Sequence, residues 1–276
     1  MSIERTRAAY DQYADREWSR LESGAQHRLE HLVTMHALRQ HLPPTGSGVR
    51  ILDAGGGPGR YTIALAELGY YVTLLDLSPR LLEIAQRRFA KLPPSVQARI
   101  EGVVEGSITD LSWIPEGAFD ATLCLGGPAS HLVEQLDRKQ ALTELRRVTK
   151  PNGLVIVSVM GRIGQYRSAV QWPDWFDGVF PQIAETGSAH ITPERAPCYF
   201  FYPDEFSKEL TQAGLEVDRL YGCQGIGAHL DESNLLTLMD DPVRWPQWER
   251  KLLETCDHPA IVGVSNHILA VSRHLR

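Results

Sequence analysis

The sequence predicts an α/β fold with a doubly wound, mostly parallel seven-stranded sheet, an N-terminal helical cap and lid insertions. Three observations support this prediction. Short apolar runs alternate with helical patterns between residues 49 and 160, a glycine-rich turn follows the first run, and two alternating segments lie near the C-terminal end. Because a helix between two apolar strands implies a right-handed βαβ crossover, the strands are expected to be parallel. Ligands of such sheets bind outside the carboxyl ends of the strands.

The central elements follow from apolar runs for the strands and from helical periodicity for the helices. Five strands are expected at 49–53, 71–75, 100–105, 119–125 and 154–160. Helices are expected at 61–68, 79–91 and 138–148. Ser78 precedes Pro79 at the start of the second of these helices, where a hydroxyl is a favourable N-cap. The pair Pro93-Pro94 interrupts the chain before the third strand.

The outer parts of the chain are expected to cover this core. Residues 4–42 carry leucines at helical spacing, whereas 161–202 has many aromatic residues without clear periodicity, as functional lids often do. A helix is expected at 203–213 and a closing strand pair at 215–221 and 267–272. We therefore expect a single domain over 1–276, divided into a helical cap at 1–44, a ligand-binding core at 45–160 and substrate-side insertions at 161–202 and 224–262.

The turn after the first strand has glycines at alternate positions, in the order Asp53-Ala54-Gly55-Gly56-Gly57-Pro58-Gly59. Glycine permits a sharp turn and a close ligand approach because it has no Cβ. With a helix starting directly after it, the turn suits a nucleotide-like ligand. A dinucleotide fingerprint requires G-x-G-x-x-G, and Arg60 stands where the last of those glycines would be. The turn therefore argues against the alternative of an NAD-dependent oxidoreductase.

Composition excludes several classes of function. Hydrophobic residues make up 43% and charged residues 22% of the chain, which is ordinary for a globular protein. The net charge of -6 argues against a nucleic-acid partner. Four cysteines are scattered without a C-x-x-C pair, so neither a structural metal nor disulfides are expected. No apolar run has the length of a signal peptide core or a membrane span, which favours a cytoplasmic location.

Five blocks of the chain resemble, in the same order, the motifs of class I S-adenosylmethionine (SAM) dependent methyltransferases of the small-molecule type. They are 53–59, Asp76, 106–108, 119–125 and 150–159. The resemblance covers roughly residues 45–160 and implies a Rossmann-like fold whose last strand pair is antiparallel. It also implies SAM as the cofactor and a small organic molecule as the methyl acceptor. Motifs of the nucleic-acid amino methyltransferases and of the protein-arginine methyltransferases are absent.

The resemblance also implies roles for individual residues. Asp53 would organise the glycine loop and contact the amino group of the methionine moiety, and Asp76 would accept both ribose hydroxyls. Ser107 stands where the family commonly has an acid that holds the adenine amino group, and the backbone of Ile108 would meet a ring nitrogen. The implied cofactor-binding residues are Asp53, Gly55, Gly57, Gly59, Asp76, Leu77, Ser107, Ile108, Leu125 and Tyr13.

The N-terminal segment Tyr10-Asp11-Gln12-Tyr13-Ala14 is similar to the start of many small-molecule methyltransferases, in which this segment folds over the cofactor. Tyr10 or Tyr13 would then reach the methionine carboxylate, or else both rings pack a helix against the sheet. The candidate general base is His131, which follows the fourth strand, because the unperturbed pKa of histidine near ~6.5 suits proton transfer. His190 in the lid is a second candidate, and either histidine could instead bond backbone carbonyls.

Four questions stay open at the level of the sequence. The aromatic residues at 172–180, with Trp245 and Trp248, either line an apolar substrate pocket or form the core of their own insertions. The methylated atom is oxygen, nitrogen or carbon. A protein of the same fold could also bind SAM while catalysing a cyclisation or rearrangement without methyl transfer. No oligomeric state follows from the sequence.

Overall fold

A computed structural model describes residues 2–170, 173–190 and 196–275 and contains the seven-stranded sheet that the sequence predicts. In chain order the strands are β1 Arg50–Ala54, β2 Tyr71–Asp76, β3 Ile100–Glu105, β4 Phe119–Cys124, β5 Thr149–Met160, β6 Ser188–Ala189, β7 Cys198–Tyr199, β8 Leu215–Gly222 and β9 His267–His274. The sheet order is β3-β2-β1-β4-β5-β9-β8. Strands β1 to β5 are parallel to one another. Strand β9 pairs antiparallel with both β5 and β8, which gives the expected antiparallel edge.

Helices flank the sheet. In chain order they are α1 Ser2–Ser23, α2 Ala25–His41, α3 Arg60–Leu68, α4 Pro79–Phe89, α5 Pro94–Gln97, α6 Gln135–Val148, α7 Arg162–Ala169, α8 Pro173–Gly178, α9 Phe180–Thr186, α10 Pro203–Gln212, α11 Glu232–Met239, α12 Trp245–Thr255 and α13 Pro259–Val264. The expected N-cap of α4 is confirmed, because the backbone N–H of Leu81 donates to Ser78 Oγ at 3.2 Å. The expected cap helix over 4–42 is two helices, α1 and α2, separated at Gly24.

The two faces of the sheet have separate apolar cores, as a doubly wound fold requires. On one face, α2 and α3 bury leucines such as Leu29 and Leu65 against β1 and β2. On the other face, Leu145 of α6 and Phe206 of α10 pack on β1 and β5. Within the described residues, no helix is both long enough and apolar enough to cross a bilayer.

The aromatic residues of the two insertions pack within the fold. Phe176 and Phe180 stack with ring centroids 5.0 Å apart, and Trp175 packs on a small cluster around Val179 and Ile183. In the second insertion, Trp245 and Trp248 pack against the core on the α2 side of the sheet. Trp172, which belongs to the same sequence pattern, lies outside the described residues. Of the two interpretations left open by the sequence, Trp175, Trp245 and Trp248 follow the second, because they pack on apolar clusters, whereas Phe176 is 47% exposed.

Candidate active site

A deep cavity opens at the carboxyl ends of β1 to β4, where the strand order runs outward from β1 in one direction and from β4 in the other. Such switch points are where α/β sheets bind ligands. The space measures about 1100 Å³ with its open mouth included. Predicted site residues that line it are Gly55, Gly57, Asp76, Leu77, Ser107, Ile108, Leu125 and His131. Tyr13, Asp53 and Gly59 are not part of its lining.

The glycine turn forms one wall of the cavity and is held by the neighbouring strand. The backbone N–H groups of Gly55 and Gly56 both donate to the carbonyl of Leu75, at 2.7 and 3.2 Å. Gly55 has a positive φ of 78°, and a Cβ at this position would lie 2.6 Å from Pro128. A glycine is therefore required here both by backbone conformation and by the close approach of the loop after β4.

Gly59 has a different role from the other glycines of the motif. Its φ is 82°, and a Cβ would lie 2.6 Å from the ring of Phe89. Gly59 therefore lets the start of α3 pack against the end of α4, and its position away from the cavity lining follows from that contact.

Asp76 lies at the end of β2, is buried, and faces the cavity. Its Oδ2 accepts a hydrogen bond from the backbone N–H of Gly57 and its Oδ1 accepts one from Ser78, both at 2.8 Å. Burial raises the pKa of Asp76 to about 6, although these backbone donors oppose the shift. Each carboxylate oxygen keeps acceptor capacity for a further donor, because an ionised carboxylate has about four lone-pair sites.

Asp53 lies below the glycine turn and does not reach the cavity. Its Oδ2 accepts a hydrogen bond from Thr62 Oγ1 at 2.6 Å, while Oδ1 has no partner within the described residues. Burial raises the pKa of Asp53 to about 6. A Cβ on Gly56 would lie 2.5 Å from Oδ2, so this glycine allows the turn to pass directly over the carboxylate.

The wall after β3 is formed by Ser107 and Ile108. Ser107 Oγ lies 2.8 Å from Thr109 Oγ1 and accepts a hydrogen bond from the Thr109 backbone at 3.2 Å. The hydroxyl is thus engaged in its own turn. Asp110, the nearest acid in sequence, bonds Ser112 instead and does not line the cavity.

Helix α1 covers the cavity and supplies part of its lining. Tyr10 faces the cavity, whereas Tyr13 does not. The helix is fixed across the sheet edge by Ser78 Oγ, which donates to Asp11 Oδ1 at 2.6 Å, and by an ion pair between Arg7 and Glu105 at 2.6 Å. The cap that the sequence predicts therefore encloses the site.

His131 ends the short turn after β4 and is 6% exposed. Its Nδ1 lies 3.0 Å from the carbonyl oxygen of Pro197, and its Nε2 lies 2.7 Å from the hydroxyl of Tyr10. Because a carbonyl oxygen can only accept, Nδ1 carries a proton. Burial lowers the pKa of His131, so the ring is neutral near pH 7. Nε2 therefore accepts a hydrogen bond from the Tyr10 hydroxyl. His190, the second histidine candidate, is exposed and does not line the cavity.

A polar network that the sequence analysis missed forms the opposite wall of the cavity. Arg20 contacts Glu17 at 2.6 Å and His27 at 3.0 Å. His27 lies 3.7 Å from Glu30 Oε2, and His267 Nδ1 lies 2.9 Å from Glu30 Oε1. Burial opposes ionisation of Glu30, but the two histidines outweigh burial and hold the pKa of Glu30 well below its usual range.

Part of this network had a sequence signal. Tyr10, Glu17 and Arg20 are separated by seven and three positions, so they share one face of a helix, and that face could have been extended from Tyr10. Glu30 and His267 come from α2 and β9, at opposite ends of the chain. No local pattern connects them.

Several known proteins are similar to this chain in sequence. A sequence profile of the methyltransferase domain family matches residues 51–153. A ubiquinone biosynthesis O-methyltransferase of Xanthomonas axonopodis pv. citri (strain 306) is 27% identical over 192 residues, which are 69% of this chain and 71% of the relative. The protein of the same name from Xanthomonas oryzae pv. oryzae (strain PXO99A) is 26% identical over 178 residues, or 64% and 66% of the two chains.

Solved structures with the same fold include proteins of differing function. The CcbJ methyltransferase from Streptomyces caelestis has a TM-score of 0.61 at 16% identity, with 98% of each chain covered. The glycopeptide N-methyltransferase MtfA complexed with SAM has a TM-score of 0.55 at 15% identity, covering 89% of this chain and 94% of that one. The [4+2]-cyclase SpnF has a TM-score of 0.56 at 18% identity, covering 89% and 80%. The domain match over 51–153, the methyltransferase relatives and the shared fold together support a class I SAM-dependent methyltransferase with SAM as its cofactor.

Proposed function

We propose that this protein transfers the methyl group of SAM to a hydroxyl oxygen of a small organic acceptor. The observation that carries the proposal is one cavity, partly covered by α1, that joins Asp76 and the glycine turn to the Tyr10–His131 pair. Cofactor and acceptor would therefore meet inside a single space covered by α1. A covered site favours methyl transfer because it excludes water and holds two reactants together.

The residues present fit the cofactor. Gly126 lines the cavity with a φ of 80°, and no atom lies within 4 Å of the place where a Cβ would stand, so a side chain there would fill ligand space. Asp76 has acceptor capacity for two ribose hydroxyls. Leu77, Ile108 and Leu125 would enclose the adenine between apolar surfaces.

The adenine edge is proposed to meet the backbone of Ile108. Ser107 would act indirectly, because its hydroxyl already bonds Thr109 and shapes the turn that presents Ile108. The methionine end of the cofactor would lie along Gly55 and Gly57, with Tyr10 closer to it than Tyr13. Asp53 would support the loop from below, through Thr62.

Bound SAM supplies an electrophilic methyl group on a positively charged sulfur. The protein then mainly has to align the acceptor oxygen with that methyl group, and positioning of this kind is worth ~7–11 kcal/mol of barrier. The Tyr10 hydroxyl donates a hydrogen bond to His131 Nε2, so its oxygen is left to accept a hydrogen bond from the acceptor hydroxyl. The Tyr10–His131 pair would thus orient the acceptor.

Oxygen is preferred over nitrogen or carbon for two reasons. The relatives with the alignments described above are O-methyltransferases by name. In addition, a histidine in the cavity can deprotonate a phenolic hydroxyl, whose pKa near ~10 is within reach of an imidazole, far more readily than an aliphatic alcohol. A phenol is therefore the acceptor class to test first.

The test is incubation of the protein with SAM and a panel of phenols that starts with catechol, followed by mass spectrometry. A product heavier by one methyl group, formed in step with S-adenosylhomocysteine, is expected. Titration calorimetry with SAM alone gives the binding step. Consumption of an acceptor without methyl gain or S-adenosylhomocysteine would instead favour the cyclisation or rearrangement alternative, and absence of SAM binding would contradict the proposal as a whole.

A further inference from the structure

We propose that His267 is the general base that removes the proton of the acceptor hydroxyl, and that Glu30 positions it. This inference rests on the proposed function and assigns a base to the same site. His267 begins β9 and Glu30 lies in α2, and both line the cavity.

The location of His267 fits the acceptor side of the cavity. His267 pairs with Met160 in the antiparallel β5–β9 register, so it stands at the carboxyl end of β5. A Cβ built on Gly127 would lie 3.7 Å from His267 Cε1, which puts the ring beside the turn after β4. The cofactor-binding residues Asp76 and Ser107 follow β2 and β3, on the far side of β1. The acceptor is therefore expected between these two sides, next to His267.

The contact with Glu30 fixes the protonation of the imidazole ring. Nδ1 of His267 lies 2.9 Å from Oε1 of Glu30 and makes no straight hydrogen bond within the described residues. At this distance the carboxylate charge repels a lone pair on Nδ1 and attracts an N–H dipole there, even without a straight hydrogen bond. Nδ1 therefore carries the proton, and Nε2 is the nitrogen that can accept one.

Glu30 also stabilises the charge that forms on the base. Its carboxylate is 7% exposed, and the positive charge that develops on His267 during proton transfer lies next to it. His131 is placed differently, because its Nδ1 lies 3.0 Å from the Pro197 carbonyl oxygen and 3.4 Å from Cys198 Sγ, and its Nε2 lies 2.7 Å from the Tyr10 hydroxyl. His267 therefore has the environment of a general base, and His131 has that of a group that orients the acceptor.

Proton removal from the acceptor hydroxyl accompanies methyl transfer to its oxygen. The O–H bond of the acceptor breaks and its proton moves to Nε2 of His267. The oxygen forms a bond to the methyl carbon while the carbon–sulfur bond breaks, and the electron pair of that bond neutralises the sulfonium. His267 leaves the step as an imidazolium paired with Glu30 and returns its proton to solvent.

Several charged or titratable groups lie near His267 and affect the stability of a positive charge on its ring. They are Glu30 and His27 on α2, Arg20 on α1 and His131 after β4. Because Glu30 supplies the counter-charge nearest to the ring, its removal is expected to dominate over changes in the others.

The kinetic test compares His267→Gln, Glu30→Gln and His131→Gln, with His190→Gln as the exposed control, using the best phenol from the panel. General-base loss is worth ~10²–10⁴-fold, so His267→Gln should lose that much in kcat while binding SAM as the wild type does. In Glu30→Gln kcat should fall while the Kd of SAM stays at the wild-type value, since the imidazolium that forms has lost its counter-charge. A merely structural role for Glu30 would weaken SAM binding together with kcat.

A second measurement does not depend on turnover. Nitrogen-15 spectra of histidine-labelled protein at pH 8, with His267 assigned by its loss in His267→Gln, should show the Nδ1–H tautomer in the wild type and a changed tautomer balance in Glu30→Gln. An Nε2–H tautomer in the wild type would overturn the inference. So would wild-type kcat in His267→Gln, and loss confined to His131→Gln would assign the base to His131. If no phenol is methylated by the wild type, it is the proposed acceptor class that fails, and the tautomer measurement still decides on His267.

Discussion

The backbone N–H of Gly57 donates a 2.8 Å hydrogen bond to Oδ2 of Asp76, which ties the glycine turn after β1 to the carboxylate at the end of β2. The two parts of the proposed cofactor site are therefore one unit. A change at Asp76 would remove a ribose acceptor and would also release the turn.

Asp76→Asn should weaken SAM binding by about 10–100-fold. The amide nitrogen of asparagine is a donor, so it faces an N–H of either Gly57 or Ser78 and can no longer accept. A hydrogen bond to a charged group contributes ~1.5–3 kcal/mol, and ~1.4 kcal/mol is a factor of ten in affinity. Titration calorimetry measures the effect. The matched control is Asp110→Asn, which changes a carboxylate outside the cavity, and equal affinities of the two variants would contradict the assignment of Asp76.

Binding of SAM should weaken as the pH falls through about 6. Burial raises the pKa of Asp76 to about 6, so the carboxylate is ionised above that pH and protonated below it. Only the ionised form accepts both ribose hydroxyls, and each pH unit below the pKa should cost up to ~10-fold in affinity. Calorimetry between pH 5 and 7 checks this.

Two variants show which carboxyl group causes the pH dependence of SAM binding. Burial also raises the pKa of Asp53 to about 6, but Asp53 does not line the cavity. The pH dependence should vanish in Asp76→Asn and persist in Asp53→Asn. A dependence that survives in Asp76→Asn would show that another group titrates in this range.

Gly59→Ala should destabilise the fold by about 2–5 kcal/mol. The left-handed backbone costs an alanine ~1–2 kcal/mol, and the new methyl group would lie 2.6 Å from the ring of Phe89, an overpacking that costs ~1–3 kcal/mol. Urea unfolding followed by circular dichroism measures the loss. Gly46→Ala is the matched control, because Gly46 has no atom within 4 Å of its Cβ position, and its free energy of unfolding should stay within ~0.5 kcal/mol of the wild type.

Much of the fold could be predicted because its signals are local. Apolar runs mark β1 and β4, and the hydroxyl of Ser78 next to Pro79 marks the start of α4. The glycine turn and Asp76 could be located in the same way, since both stand at strand ends. The break between α1 and α2 was missed because Gly24 lies within an otherwise continuous helical pattern.

The sequence singled out Tyr10 and His131, but the contacts on the acceptor side could not be predicted, because tertiary packing alone assembles them. Tyr10 and His131 meet at 2.7 Å only after α1 has crossed the sheet edge. Glu30 and His267 meet only when β9 has paired with β5. Each of these residues has an ordinary environment in the sequence, and the chemistry arises from the contact between them.

Arg138→Met should destabilise the fold by about 3–5 kcal/mol and also lower activity. Arg138 of α6 forms a buried, bidentate ion pair with Glu209 of α10 at 2.7–2.9 Å, and the substitution leaves that carboxylate buried without its partner. Arg138 also donates to the carbonyls of Leu132 and Val133, at 3.1 and 2.6 Å, directly after His131. Urea unfolding and phenol methylation measure the two effects.

The double variant Arg138→Met with Glu209→Leu separates stability from positioning. Replacing both members of a buried ion pair with apolar side chains is often close to neutral, so most of the free energy of unfolding should return. The carbonyls after His131 still lack their donor, and methylation should therefore stay low. The exposed pair Arg50–Glu101 provides the control, and Arg50→Met should cost no more than ~1 kcal/mol. Recovery of activity together with stability would show that Arg138 supports the fold but does not hold the His131 turn.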